Sequence, residues 1–293
     1  MLADILANSK GIKKQTVIGA VEQEKDFSLI EIITKMLPHE EVSEPPTEKT
    51  IYRVSEIPRM CPREEVLRAQ HKVRKVKKVD ARSRRTFDFG NAFHALAQND
   101  WLGKWGLLHG DWRCLSCGHV TRKSFKPEKC WSKVIKDVTL KNPPVEPCGG
   151  AKFIYEEAEY VNEKYGIIGH SDGLLVRDGV KKIAELKTCN SRVFKQIREV
   201  SGRPLEAHVD QIQLYMWLAK EKRGVILYFE KDESQMMEFE QKFSVESVDK
   251  SLAKIESVRD GIRTGTLPAK VCEKAECSRA KACPVRKQCF GIG

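Results

Sequence analysis

The sequence predicts an α/β protein in which helices flank a mixed β-sheet. Residues 166–189 have the pattern of a β-hairpin, with an Arg-Asp-Gly turn between two strands. A short apolar run at 224–230 predicts a buried strand, and the alternating residues 236–244 predict an edge strand beside it. Residues 153–161 predict one strand before the hairpin. Residues 206–223 and 244–265 have the periodicity of helices. Strands and helices in this order favour a mixed sheet covered by helical layers.

Length and composition allow one large domain with insertions, or two smaller domains. The chain has 293 residues, of which 41% are hydrophobic and 32% charged, as expected of a globular protein with a substantial core. No stretch is apolar enough for a membrane span, and the first residues lack the apolar segment of a signal peptide. We therefore expect a cytoplasmic protein, whose ten cysteines are metal ligands rather than disulfides. The net charge of +11 favours a polyanionic partner.

Residues 1–50 oppose the charge of the rest of the chain, with six basic and nine acidic residues. Residues 26–37 have the pattern of one amphipathic helix, and the Pro45-Pro46 pair ends regular structure after it. We expect this segment to be an N-terminal arm or covering helix.

A basic band lies between Arg59 and Arg85, where eleven Lys or Arg residues stand against three acidic residues. Such a concentration favours a surface that binds phosphate independently of sequence over a merely solvated face. The candidate nucleic-acid contacts in this band are Arg74, Lys75, Lys77, Lys78, Arg84 and Arg85.

Two helices are predicted around the basic band. One begins near residues 55–58, with Cys61 close to its start. The other covers residues 87–103, where Phe93, Leu96 and Ala97 mark the apolar side and His94 stands next to it. A lone histidine in that position is usually structural, so this pattern alone assigns His94 no function.

Residues 109–152 carry the first group of cysteines and little apolar material, so metal would largely replace a core. A C-x-x-C knuckle lets two thiolates approach one tetrahedral ion. The candidate zinc ligands are Cys114, Cys117, Cys130 and Cys148, with His109 or His119 as substitutes. We expect an inserted zinc module in which Trp112, Phe125 and Trp131 pack around the metal rather than stack on bases.

Two carboxylates meet in the predicted hairpin. Side chains alternate along a strand, so Glu185 and Lys187 share one face of the second strand, and Asp172 lies on its partner. Two carboxylates can share a hard divalent cation, and the Lys187 ammonium beside them can orient water or offset charge at phosphorus. This combination favours phosphodiester hydrolysis, although charged strand edges that face solvent give a similar pattern. On the helix at 206–223, Gln211 and Tyr215 are four residues apart and share a face.

These motifs together resemble one nuclease family. His94 on a helix after Gly90, Asp172 in Gly-His-Ser-Asp, Glu185-Leu-Lys187 and Gln211-x-x-x-Tyr215 resemble, in this order, the motifs of RecB-like nucleases of the PD-(D/E)XK superfamily. The resemblance covers about residues 52–290, except the cysteine insertion. It implies a restriction-endonuclease-like core formed by residues 51–108 and 153–265.

The resemblance also implies a role for each motif residue. The implied ligands of Mg²⁺ or Mn²⁺ are His94, Asp172, Glu185 and the backbone carbonyl of Leu186. Lys187 would assist the attacking water, so that the catalytic set comprises the three side-chain ligands and this lysine. Gln211 and Tyr215 would position the nucleic-acid backbone.

Residues 266–293 contain a second group of cysteines, which are Cys272, Cys277, Cys283 and Cys289. Their spacing leaves open a second zinc site, reduced thiols without metal, or an iron-sulfur cluster. The resemblance favours the last, because iron-sulfur RecB-like nucleases, such as AddB-type and CRISPR adaptation nucleases, join one cysteine before the core to three after it. Cys61 in Met-Cys-Pro-Arg matches the leading cysteine. A 4Fe-4S cluster would therefore take four of these five residues and staple the ends of the chain together, while Cys189 would be a buried free thiol.

The resemblance implies a metal-dependent deoxyribonuclease whose partner is DNA. We expect an exonuclease that digests single-stranded DNA or duplex ends in recombination, repair or phage replication. A structure-selective or CRISPR-adaptation-like endonuclease is the alternative within the same chemistry, and a non-catalytic nucleic-acid-binding adaptor is the alternative of another class. The sequence has no G-x-x-x-x-G-K-[ST] motif, so a helicase or recombination protein would be a separate partner.

Overall fold

The computed structural model describes residues 28–37, 51–135 and 145–292, and the backbone of residues 40–44. The side chain of Lys77 lies outside this description. The chain divides into two units, Met1–Pro38 and His39–Gly293.

The first unit contains helix α1, Leu29–Met36. Ser28 caps this helix, because its hydroxyl accepts a hydrogen bond from the Glu31 amide at 3.4 Å. The amphipathic helix predicted over residues 26–37 is therefore confirmed for its described part. The boundary predicted at Pro45-Pro46 lies outside the described residues.

The second unit contains strands and helices throughout its described length. The strands are β1 (Glu40–Glu44), β2 (Tyr52–Arg53), β3 (Lys75–Val79), β4 (Leu108–Cys114), β5 (Val120–Lys123), β6 (Lys133–Ile135), β7 (Val145–Pro147), β8 (Phe153–Glu156), β9 (Glu159–Asn162), β10 (Ile167–His170), β11 (Gly173–Arg177), β12 (Val180–Cys189), β13 (Arg223–Glu230) and β14 (Met236–Lys242). The α-helices are α2 (Pro62–Gln70), α3 (Ala81–Leu96), α4 (Ser191–Lys195), α5 (Glu206–Ala219), α6 (Val245–Thr264), α7 (Ser278–Lys281) and α8 (Arg286–Phe290).

The central sheet is mixed, as the sequence predicts. Its strands lie in the order β14-β13-β12-β11-β4-β5, and β8 also pairs with β4. β12 and β13 are parallel, whereas the other pairs in this sheet are antiparallel. A parallel pair needs a crossover connection, and the chain between β12 and β13 supplies one that contains α4 and α5. Smaller sheets are formed by β2-β10-β9, β1-β3 and β6-β7.

Helices cover both faces of the central sheet. On one face, Ile183 of β12 and Ile226 of β13 join Ile212 of α5 and Ile255 of α6 in the main core. On the other face, Phe93 of α3 packs near Leu186 of β12. Side chains on a strand alternate between its two faces, so Ile183 and Leu186, at an odd and an even position of β12, lie on opposite faces of the sheet. The predicted α/β architecture with flanking helices is confirmed.

The predicted hairpin turn is confirmed, but its first strand is shorter than expected. Arg177 pairs with Val180, and Asp178 and Gly179 between them have φ values of 51° and 77°, as a two-residue turn of this hand requires. The expectation of one strand from residue 166 to residue 176 is wrong. The chain leaves the ladder at Ser171 and Asp172, so that β10 and β11 belong to different sheets.

Residues 153–161 also form two strands where the sequence suggests one. β8 pairs with β4, whereas β9 pairs with β10. Asn99 accepts a hydrogen bond from the Tyr155 amide at 2.8 Å, and Gln98 donates to the Glu157 carboxylate at 2.9 Å. These side-chain contacts hold the chain where it passes from one sheet to the other.

The predicted helices around the basic band begin at different residues from those expected. The chain makes a short 3₁₀ turn at Ile57–Arg59, and α2 then starts with Cys61 as its N-cap residue. α3 begins at Ala81, because the Asp80 side chain accepts a hydrogen bond from the Ser83 amide at 2.7 Å. The basic residues at 82–85 therefore lie on the same helix as His94.

In the part of the chain that the structure describes, every helix is too short or too polar to cross a bilayer.

Candidate functional site

The site is built around Asp172, at the point where β11 begins. The Leu186 amide of β12 donates a hydrogen bond to Oδ2 of Asp172 at 2.6 Å. Nδ1 of His94, on α3, lies 3.2 Å from Oδ1 of Asp172. Two strands and a helix therefore meet at one buried carboxylate, as the sequence predicts.

Glu185 lies beside Asp172 and is only 1% exposed. Its Oε1 forms an ion pair with the Lys187 ammonium, whereas Oε2 is buried without a hydrogen-bond partner among the described residues. Burial, and then the negative charge of Asp172, raise the pKa of Glu185 to about 8, against the opposing effects of Lys187 and His94. A buried carboxylate oxygen without a partner fits a site that holds a cation.

His94 is held in a polar cluster on the inner side of α3. Burial lowers the pKa of His94, but the hydrogen bond to Asp172 and the charges of Asp172 and Glu157 outweigh this effect and raise it. His94 thus contacts Asp172 directly. Its position beside the apolar side of a helix does not by itself predict this contact.

Glu157 is a site residue that sequence reasoning missed. Ligand atoms of His94, Asp172 and Glu157 all lie within 4.8 Å of one another, so these three residues form a group that can hold a metal ion. Burial, with a further contribution from Asp172, raises the pKa of Glu157. The only signal in the sequence is the Glu156-Glu157 pair before the hairpin, and the expected continuous strand hides the break that turns Glu157 inward.

Gln98 also belongs to the site without having been predicted. Its amide nitrogen donates both to Glu157 Oε1 and to the Asp172 backbone carbonyl, each at 2.9 Å. Gln98 is 5% exposed and lies in a π-helical segment, Ala97–Leu102, that continues α3. The wider helical turn brings this amide to the two carboxylate-bearing loops, and π-helical turns are frequent at functional sites.

Gln211 and Tyr215 lie on α5 and are both buried. They are hydrogen bonded to each other, and burial, followed by the charges of Glu185 and Asp172, raises the pKa of Tyr215. Both side chains therefore lie beneath the carboxylates, inside the core rather than on the surface. Their predicted role in positioning the nucleic-acid backbone stays a prediction.

The basic band is divided between surface and structural roles. Arg74, Lys78 and Arg85 are exposed, whereas Lys75 and Arg84 are half-buried. Lys75 pairs with Glu64 at 3.2 Å, and the side chain of Lys77 lies outside the described residues. Other members of the band serve the fold, since Arg68 forms a buried pair with Glu65 at 2.9 Å and Arg63 donates to the Pro268 carbonyl at 2.8 Å.

The four cysteines of the insertion come together at the end of β4. The Sγ atoms of Cys114, Cys117, Cys130 and Cys148 all lie within 4.8 Å of one another. Cys114 and Cys148 are 3.9 Å apart, and Cys117 and Cys130 are 3.7 Å apart. Tetrahedral zinc with Zn–S bonds of about 2.3 Å requires S···S separations of about 3.8 Å, so the four thiols fit zinc without His109 or His119.

Ser132 adds a hydroxyl to the same cysteine group. Its Oγ lies 3.0 Å from Sγ of Cys130 and 3.2 Å from Sγ of Cys117. The hydrogen bond from Ser132 lowers the pKa of Cys117 to about 6, which favours the thiolate that a metal binds.

The other cysteine group surrounds a cavity between α2 and the end of the chain. Cys61, Cys272, Cys283 and Cys289 all line this small cavity of about 20 Å³, together with Ala280 and Val285. Cys277 is absent from the lining and instead caps α7, where its Sγ accepts a hydrogen bond from the Ala280 amide at 3.3 Å. Because these four thiols line one cavity, they are favoured among the five candidate residues as ligands of a single group.

Comparisons with known proteins give one family match. Residues 59–290 match the PD-(D/E)XK nuclease superfamily. No curated protein matches the sequence. Among solved structures, the chain is similar to the crystal structure of SSO0001, with 15% identity, a TM-score of 0.38 and coverage of 84% of this chain and 89% of that chain. It is also similar to an alkaline exonuclease, LHK-Exo from Laribacter hongkongensis, with 9% identity, a TM-score of 0.39 and coverage of 74% and 90%.

Glu185→Gln should stabilise the protein when no divalent cation is added. Between its ordinary pKa of 4.5 and the folded value of about 8, the folded carboxyl keeps a proton that the unfolded chain releases, so wild-type stability falls as the pH rises. Glutamine cannot ionise, and we expect the variant to gain about 4 kcal/mol in free energy of unfolding at pH 8 and almost nothing near pH 4. Urea unfolding at the two pH values measures this difference.

Glu240→Gln is the matched control for this measurement. Glu240 pairs with Lys182 on the exposed edge of the sheet, where such a change is worth less than about 1 kcal/mol. A Glu185→Gln protein that is no more stable than wild type at pH 8 would contradict the expected cost of burying this carboxylate.

Proposed function

The chain belongs to the PD-(D/E)XK nuclease superfamily, and on this basis we propose that it is a Mg²⁺- or Mn²⁺-dependent deoxyribonuclease. We propose further that it acts as an exonuclease on single-stranded DNA or duplex ends, in recombination, repair or phage replication. The observation that carries this proposal is the buried pair Asp172 and Glu185, which His94 and Lys187 flank.

The donor set at the site suits a hard divalent cation. We propose His94, Asp172 and Glu185 as its side-chain ligands, with the Leu186 carbonyl as a further ligand. Among the described residues of this site, the three whose ligand atoms all lie within 4.8 Å of one another are His94, Asp172 and Glu157, so Glu157 is a further candidate ligand. When bound, the cation supplies Lewis acidity at the phosphoryl oxygen and lowers the pKa of a water molecule.

The protein's own groups fix the geometry for attack on phosphorus. The Leu186 amide and His94 hold both oxygens of Asp172, so this carboxylate cannot rotate. Lys187 is anchored to Glu185 but remains 24% exposed, so its ammonium stands where the buried carboxylates meet solvent. From there Lys187 would orient the attacking water and offset negative charge that develops on the phosphate.

α3 connects the basic surface to this site. Arg85 and His94 lie nine residues apart on one helix, a rise of about 14 Å. DNA held by exposed cations such as Arg74, Lys78 and Arg85 would therefore run towards the carboxylates. Contacts of this kind supply affinity that depends on salt and not on sequence.

The two cysteine groups would have structural roles. We propose zinc at Cys114, Cys117, Cys130 and Cys148, and a 4Fe-4S cluster at Cys61, Cys272, Cys283 and Cys289. Both require reduced thiols, which is consistent with a cytoplasmic location. The cluster would join α2 to the end of the chain, and no redox step is needed for the proposed reaction.

A non-catalytic adaptor is a weaker explanation of the site. Burying Glu185 costs stability, and an adaptor would gain nothing from a carboxylate oxygen that lacks a hydrogen-bond partner among the described residues. A structure-selective or CRISPR-adaptation-like endonuclease would use the same residues. Whether cleavage requires a free DNA end distinguishes it from an exonuclease.

Replacing either catalytic candidate should abolish cleavage and spare binding. We expect Glu185→Ala and Lys187→Ala each to reduce Mg²⁺-dependent cleavage of labelled DNA by about 100-fold or more, because each removes a group that acts at the reacting phosphate. DNA affinity should change by less than about threefold, since the basic surface supplies it. Lys182→Ala, on the same strand but paired with Glu240, is the control and should cleave normally. Undiminished cleavage by Glu185→Ala would reject the assignment.

An exonuclease requires a free end. We expect linear single-stranded DNA to be degraded with Mg²⁺ or Mn²⁺, and circular single-stranded DNA of the same sequence to survive. Comparison of 5′-labelled and 3′-labelled strands gives the direction of digestion. Cutting of the circular substrate at a similar rate would identify an endonuclease instead.

The two metal groups should be lost independently. Anaerobically purified protein should contain both iron and zinc by elemental analysis. We expect Cys283→Ser to lose iron and keep zinc, and Cys117→Ser to do the reverse, because the two groups share no ligand. Cys277→Ser is the control for the cluster and should retain iron. Loss of iron from Cys277→Ser, or its absence from the wild-type protein, would overturn the ligand set.

A further inference from the structure

The cysteine module, which is the insertion at residues 109–152, contains both buried and exposed aromatic residues. Trp112 is fully buried and packs edge-to-face against Tyr155, with ring centroids 5.3 Å apart. Phe125 and Trp131, by contrast, are 49% and 69% exposed, and Trp105 on the preceding loop is 82% exposed. Packing against the cysteine group therefore accounts for Trp112, whereas Phe125 and Trp131 are too exposed for the packing role expected of them.

Lysine side chains accompany two of the exposed rings. The Lys129 ammonium lies 5.0 Å from the centroid of Trp131, and that of Lys123 lies 5.2 Å from the centroid of Phe125. From residue 122 to residue 133 the chain has five basic residues and one acidic residue. Each ammonium lies over a ring, where it can pair with the phosphate of a nucleotide, and the exposed remainder of the ring offers the base a stacking surface.

Neighbouring residues hold the backbone on either side of the rings. Trp131 lies between Cys130, which is buried, and Ser132, whose hydroxyl contacts two cysteine sulfurs. Phe125 lies against the Trp105 loop, because a Cβ placed on Gly106 would come within 3.8 Å of the Phe125 Cβ. Phe125 and Trp131 are six residues apart, so at most about 20 Å of chain separates them. That distance suits a few stacked nucleotides of one strand.

The module is also joined to the candidate active site through the central sheet. β4 pairs with β11 at Leu108 and His109, and β11 begins directly after Asp172. A DNA strand bound on the module would therefore lie near the chain segment that carries Asp172.

We propose that Trp105, Phe125 and Trp131, with Lys123 and Lys129, form a stacking surface for single-stranded DNA. Duplex DNA keeps its bases stacked on one another and cannot use such rings, so this surface would favour single strands and frayed ends. The inference rests on the proposed function, because it assigns a substrate-binding role to the module of a nuclease. It predicts that loss of one ring weakens single-strand binding through stacking rather than through charge.

The test is fluorescence anisotropy with a fluorescein-labelled 20-nucleotide oligothymidylate, without added divalent cation and without chelator. Trp131→Ala in the full-length protein should raise Kd about tenfold, and Trp131→Phe should raise it less than about threefold, because phenylalanine keeps a stacking face. Trp131→Leu, which is apolar but not aromatic, should behave like Trp131→Ala. Affinity for a 20-base-pair hairpin should stay within about twofold of wild type in all three variants.

Two lysine variants complete the test. Lys129→Ala should weaken binding and make its salt dependence shallower, by about one unit in the slope of log K against log salt. Lys164→Ala is the matched control, because its ammonium also lies 5.0 Å from an aromatic centroid, that of Tyr165, in the turn between β9 and β10. It should leave the affinity and the slope unchanged.

Several results would overturn the stacking surface. These are unchanged single-strand affinity in both Trp131→Ala and Phe125→Ala, equal losses for hairpin and single strand, or equal effects of Lys129→Ala and Lys164→Ala. A surface that serves a protein partner would give the first of these results. Failure of the nuclease proposal is a different outcome, because Mg²⁺ would then produce no cleavage while single-strand binding still depended on Trp131.

Discussion

The hydrogen bond from the Leu186 amide to the Asp172 carboxylate is the contact on which the site depends. β11 begins only at Gly173, so beyond that point β12 has no antiparallel neighbour to accept from its amides. Asp172 supplies the missing acceptor at 2.6 Å and satisfies a backbone group that would otherwise be buried without a partner. The same break in the strand brings Asp172 to His94. One interruption of the sheet therefore completes the backbone hydrogen bonding and assembles the candidate cation site.

The arrangement is unfavourable for the protein in the absence of a cation. Two carboxylates share a region of low polarity, and only one oxygen of Glu185 has a cationic partner among the described residues. A fold selected for stability alone would replace such a residue with an apolar or amide side chain. Stability and the proposed function are therefore opposed at Glu185, because burial and the nearby charge of Asp172 both disfavour its ionised form.

Sequence patterns predicted the parts of this structure that depend on nearest neighbours along the chain. The Asp178-Gly179 turn, the buried strand at 224–230 and the two long helices each have a local signature, and the structure contains all of them. The breaks at Asp172 and Glu157 were missed, because apolar residues continue past both points and the contacts that interrupt the strands come from elsewhere. Gln98, which supplies one of these contacts, is 74 residues away from Asp172. Spacing identified the four zinc-type cysteines, but only the three-dimensional arrangement separates Cys277 from the cavity that the other tail cysteines line.

A short series of polar contacts connects the end of the chain to the neighbourhood of Lys187 on β12. Arg279 donates to the Arg59 carbonyl at 2.8 Å, two residues before Cys61, and the Arg59 guanidinium lies 3.4 Å from Nε2 of His208 on α5. Burial, and then the charges of Lys187 and Arg59, lower the pKa of His208 to about 3, so the ring is neutral.

A neutral His208 that accepts from Arg59 at Nε2 carries its proton on Nδ1, which lies 2.8 Å from the Tyr228 hydroxyl. Tyr228 is the neighbour of Lys187 in the β12–β13 ladder. Consecutive contacts therefore connect the tail of the chain to the strand that pairs with Lys187. Metal ligation of Cys61 together with the tail cysteines would fix the first member of the series, so a group with no part in the chemistry would still determine how well Lys187 is positioned.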